Sequence, residues 1–198
     1  MRKVIFPALT IVVAGLMGCD TSTPNSPAQQ VAMRDEAHAA LERMEAQDPS
    51  LVNSINNAYG YVVFPEVGDA AIGIGGAAGH GIVYQGGRRI GEVKMTQASV
   101  GLQAGGDTYG ELIIFQDAKA FNRLLNNSIE FGSDATATFV KAGAAGAAEF
   151  TKGTQVYILP KGGLKAGISL QGQKFHFMPS NNNSSDSTTT TETQTTTR

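Results

Sequence analysis

Residues 71–84 read AIGIGGAAGHGIVY, with five glycines and three alanines in fourteen positions. Either they cradle a phosphate or they build a strand, and the fold follows from the choice. Gly73-x-Gly75-x-x-Ala78 approaches the dinucleotide fingerprint, and Glu92 lies about twenty residues on, where that fingerprint places an acid. The fingerprint also needs a helix to open at its third glycine. Here Gly79, Gly81 and then Ile82-Val83-Tyr84 follow, which is strand material, and no Lys-Ser/Thr completes a P-loop. Read as a strand, Ala71, Gly73, Gly75, Ala77, Gly79 and Gly81 fall on one face, and Ile72, Ile74, Ile82 and Tyr84 on the other. One face is then nearly bare backbone, which marks a bend or the close approach of another group. Fourteen straight residues would span nearly ~50 Å, too long for this domain. The stretch predicts sharp curvature, in a strongly coiled sheet or partly closed barrel with something packed on the bare face.

Further strands are expected around it. Tyr61–Phe64 stops at Pro65, Gln85-Gly86-Gly87-Arg88 is a hairpin turn, and Ile90–Ala104 alternates up to the turn at Gly105-Gly106-Asp107. Thr108–Phe115 is a strand, and strands resume near 130–140, 155–159, 164–170 and 174–178. Helices are predicted over Ala28–Gln47, with Val31, Ala37, Leu41 and Met44 on one stripe, and over Ser50–Ala58, with Leu51, Val52 and Ile55 inward. Asp48-Pro49 supplies the cap and first-turn proline of the second. Asp117 caps a third helix through Asn126 with Phe121, Leu124 and Leu125 on one face. The class is α+β: a strongly curved, mainly antiparallel glycine-rich sheet with N-terminal helices and one mid-chain helix.

The front end, MRKVIFPALTIVVAGLMGCD, has a basic start at Arg2-Lys3 and an apolar run too short to span a bilayer comfortably. It ends in Leu16-Met17-Gly18-Cys19, and Cys19 is the sole cysteine of the chain. This resembles a bacterial lipobox. The resemblance implies a diacylglyceryl thioether on Cys19, cleavage before it and acylation of the new amine, with Asp20 as a sorting position. Several acyl chains on one residue anchor far better than one. The expected organisation is a signal peptide (1–18), an acylated tether (19–27), a domain (28–178) and a Ser/Thr/Asn-rich disordered tail (179–198). The protein would sit lipid-anchored in the bacterial cell envelope, its domain facing the periplasm or the exterior.

The formal net charge is −2, and loss of Arg2 and Lys3 leaves 13 basic against 17 acidic residues. No strong basic field exists to hold nucleic acid. A lone cysteine excludes a disulfide framework and a cysteine-rich zinc site. His38, His80 and His176 show no metal spacing and read as ordinary surface or strand histidines. Ser99 lacks a nucleophile elbow. Gly143-Ala144-Ala145-Gly146 has GxxG form without basic surroundings and reads as a tight turn or small-residue packing surface. No cofactor, metal or catalytic constellation is expected. The remaining candidates are Arg88 and Arg89 at the hairpin and Lys161 and Lys165 in a later turn. If those turns share one end of the sheet, they form a basic rim for anionic phospholipid headgroups.

Phe64-Pro65, the glycine-rich strand 73–81, Gly132-Ser133-Asp134-Ala135 and the run Lys161-Gly162-Gly163-Leu164-Lys165-Ala166-Gly167-Ile168-Ser169-Leu170-Gln171-Gly172 come in this order. Together they resemble the SYLF domain family, over about residues 59–177, in the form of its bacterial lipoprotein members. The resemblance implies binding to lipid or a membrane surface, since eukaryotic members bind phosphoinositides and associate with membranes and actin. The alternative is an adaptor role, in which the anchor supplies membrane attachment and the domain binds another envelope protein.

Overall fold

A computed structural model describes residues 26–69, 76–98, 108–132, 134–161 and 170–180. The elements are α1 (Pro27–Gln47), α2 (Ser50–Asn56), β1 (Gly60–Asp69), β2 (Gly76–Gln85), β3 (Arg88–Ala98), β4 (Thr108–Phe115), α3 (Ala118–Leu125), β5 (Ala137–Phe139), α4 (Ala144–Ala147), β6 (Thr154–Lys161) and β7 (Gln173–Pro179). The strands form one sheet in the order β5-β6-β4-β1-β2-β3-β7. Every ladder is antiparallel except β5–β6. The sheet is curved and does not close into a barrel.

Strand alternation divides the core in two. Val62, Phe64, Val67, Val83, Val93, Ile113 and Phe115 point to the concave side, where α3 adds Ala120, Phe121 and Leu124 and the far strand adds Phe175. Val63, Ile82, Leu112, Ile114 and Tyr157 point to the convex side beneath α1 and α2. The described glycine face of β2 lies on the concave side, and what packs on it is Phe64. A Cβ on Gly81 would meet Phe64 Cδ1 at 2.8 Å and Val62 Cγ1 at 3.0 Å, and one on Gly79 would meet Val67 Cγ2 at 2.9 Å. The neighbouring strand's phenyl ring therefore occupies the volume that side chains on β2 would have taken. Residues 70–75, which carry the rest of that pattern, lie outside the described residues.

Pro65 does not end the first strand as its lack of an N–H suggested. β1 continues to Asp69 through a register shift that separates Val63 from Glu66 against β2, and Phe64 from Val67 against β4. A bulge leaves an unpaired residue, so a proline there costs no ladder bond. The stripe of α1 also differs from expectation. Its buried residues are Ala37, Ala40 and Met44, whereas Val31 is 45% exposed. Small residues let the helix lie close on the sheet, and Val31 sits in an early turn ahead of that contact. In the short α2, Leu51 is buried while Val52 is 41% exposed.

Asp48 ties the convex layer together. Its carboxylate accepts from Ser50 N (3.1 Å) and Oγ (2.6 Å), Gly143 N (3.0 Å) and Ala145 N (2.8 Å). Burial pushes this carboxyl up, but hydrogen bonds from the Ser50 hydroxyl and the Ala145, Gly143 and Ser50 amides outweigh it and hold the group below its ordinary value. The Gly143–Gly146 stretch, expected as a tight turn or a small-residue packing surface, overlaps the one-turn helix α4 and supplies two of those amides. Asp117 caps α3 as anticipated, accepting from Ala120 N at 2.8 Å.

Candidate functional site

Cys19, Asp20 and Lys165 lie outside the described residues, as does Ser99. Arg88 and Arg89 follow a two-residue turn in which Gly86 and Gly87 take φ of +56° and +74°, as the twist-matched hairpin turn requires. Arg88 is exposed. Arg89 is held by Glu92 Oε1 at 3.1 Å and Ser180 Oγ at 2.8 Å. Lys161 sits at the opposite end. Gln85 pairs with Gly60, Gly60 with Phe115 and Phe115 with Thr154, whereas Lys161 pairs with Thr108. The condition for a joint rim of Arg88, Arg89 and Lys161 is therefore not met, because β6 runs from the hairpin end toward the other one.

The register brings a different set together. His80 is the cross-strand partner of Lys94, and Lys94 of His176. Partners on adjacent strands share a face with Cβ atoms roughly 5 Å apart, so three basic side chains form a row across β2, β3 and β7. The face is convex, shared with Ile82. Glu66 pairs with His80 on the other side and is bonded by Lys161 Nζ at 2.9 Å. The row thus reads Lys161, Glu66, His80, Lys94, His176: one carboxylate among four basic groups. Lys174 stands one pair further along, opposite Thr96, with Glu130 at 3.8 Å. His176 and Lys174 are exposed and Lys94 half-buried. Among the described residues, neither Lys94 nor His176 enters an ion pair. Lys94, flanked by two imidazoles and by no carboxylate within the row, presents a polar, basic face suited to an external anion. Sequence reading missed it because positions 80, 94 and 176 become neighbours through register, and Lys161 joins them only through its bond to Glu66.

A second polar group lies on the concave side. Glu111 of β4 and Gln173 of β7 are both fully buried, and Gln173 Nε2 donates to Glu111 Oε2 at 3.1 Å. Burial pushes the Glu111 carboxyl up to about 8, with the Gln173 amide pulling weakly the other way. Burial raises the Tyr109 phenol beside it, as does the Glu111 charge. Glu111 Oε1 and Gln173 Oε1 have no hydrogen-bond partner among the described residues. No set of three metal-ligating side chains occurs among the described residues, and no described helix is long and apolar enough to cross a membrane.

The curved sheet, with its glycine face filled by Phe64, defines an α+β domain whose C-terminal half also matches a known family. Residues 96–190 match the Ysc84 family model, described as Las17-binding protein actin regulator. The match falls on the family that the motifs resemble, the SYLF family, over the C-terminal part of the chain. It is similar to Beta cell expansion factor A of Aeromonas veronii, 26% identical over 149 residues. That alignment covers 74% of this chain and 56% of the relative, so the chain spans little more than half that protein's length.

Proposed function

We propose that the protein is a lipid-anchored component of the bacterial cell envelope whose SYLF domain binds an anionic membrane surface without catalysing a reaction. The observation that carries the reading is the row of Lys161, His80, Lys94 and His176 on the convex face, with a single carboxylate within it. Each Lys or Arg near an anionic leaflet contributes about 1 kcal/mol, enough for a docking contact once a diacylated Cys19 holds the domain nearby. The lipobox at Leu16–Cys19 supports the anchor. Arg88, exposed at the hairpin tip, is a further candidate contact, as is Lys165. Arg89 and Lys161 already meet Glu92 and Glu66.

The test removes the anchor. The mature chain carrying Cys19→Ser is floated with neutral and with anionic liposomes across a salt series. Binding selective for anionic vesicles and lost with salt is the expected result. Absence of flotation would sink lipid recognition by the domain and favour the adaptor reading, in which the overall acidic domain binds another envelope protein.

A further inference from the structure

Glu111, a fully buried carboxyl, plays no part in the surface just described. β4 and β7 are four places apart in the sheet order, yet curvature brings Glu111 and Gln173 to 3.1 Å across the concave core. Among the described residues, no element packed around Glu111 supplies a cation. Its register partners are Phe64 on β1 and Ile158 on β6. β7 contributes the Gln173 amide and Phe175, β3 contributes Met95 and Gln97, and among the described residues the titratable side chain beside it is the Tyr109 phenol on its own strand, which also meets the Gln173 side chain. An ionised carboxylate here would leave Oε1 charged, buried and unpaired, and would leave the carbonyl of Gln173 without a donor. A proton on Oε1 resolves both deficits at once. A neutral acid and a primary amide form a reciprocal pair: N–H donates to one carboxyl oxygen, and the carboxyl O–H donates to the amide oxygen. The Nε2–Oε2 contact is one half of that pair, and the two orphan oxygens are the atoms of the other half.

We propose that Glu111 is carried as the neutral acid and, paired reciprocally with Gln173, latches β7 to β4 across the concave core, so that proton loss releases this end of the sheet. The released end bears Leu170, Phe131 and Phe175, so opening exposes apolar surface under alkaline conditions. The inference stands on the interior geometry and is independent of the membrane-binding reading.

The test uses the full mature chain. Carbon NMR of the Glu111 side-chain carboxyl reports its ionisation, and amide exchange, corrected for intrinsic rates, reports opening of β7. Glu111 is expected to stay protonated through neutral pH. Protection at Lys174 and His176, whose amides face β3, should fall about tenfold for each pH unit on the approach to the midpoint and level off above it, while protection at Ile113 holds. In Glu111→Gln, which keeps a reciprocal amide pair but cannot ionise, the fall should vanish. A carboxyl already ionised below about pH 6, or the same decline in the Gln variant, would overturn the latch. If the variant does not fold, the wild-type carboxyl titration decides by itself.

Discussion

Asp48 and Glu111 are both buried carboxyls, and they push stability in opposite directions with pH. Asp48 is held below its ordinary 3.8 by hydrogen bonds, so its contribution is present above that value and is lost as pH falls through the lowered one. Glu111 is raised from 4.5 to about 8. Below 4.5 both folded and unfolded chains hold its proton; between 4.5 and 8 the unfolded chain alone has released it, so stability falls as pH rises. The slope approaches ~1.4 kcal/mol per pH unit and levels off once the folded group ionises too. Urea unfolding at pH 5 to 8 is expected to show this decline in wild type and its loss in Glu111→Gln. Asp48→Ala removes the acceptor for three backbone amides and the Ser50 hydroxyl, and should cost about 3 kcal/mol or more, read as a lowered urea midpoint at unchanged slope.

At the scale of elements, the glycine-rich strand and Phe64 form one packing unit. Gly81→Ala drives a methyl into a buried ring, and about 1–3 kcal/mol of destabilisation is expected from overpacking. Phe64→Leu should relieve part of that cost, so that the double variant is more stable than the sum of the two single changes implies. A strictly additive result in thermal unfolding would show that the ring is not what fills the glycine face. The alternation of small residues at 77, 79 and 81 made the bare face readable in the sequence, and the failure of a helix to follow made it a strand. The identity of its filler was not readable, because Phe64 reaches it through a bulge that the sequence suggested as a strand end at Pro65. The capped α3 and the Gly86-Gly87 turn were legible since both are local. The inward stripe of α1 was misjudged at Val31, because helical periodicity sets a face but not how far the sheet extends beneath it.

At the scale of the molecule, the candidate surface was the least legible part. Arg88, Arg89 and Lys161 stood out as basic residues near turns, but strand order places the hairpin and Lys161 at opposite ends. The register joins His80, Lys94 and His176, which sequence distance had kept apart, and the ion pair with Glu66 brings Lys161 to them. The most direct measurement compares flotation of the Cys19→Ser chain with its Lys94→Glu/His176→Glu variant on anionic liposomes, with stability checked by urea unfolding. The variant replaces a lysine and a histidine by two carboxylates, and loss of roughly 1 kcal/mol for the lysine together with the two added negative charges should reduce binding at least tenfold while the fold stays intact. Equal flotation of the two folded proteins would show that the row on the convex face is not what holds the domain to the membrane.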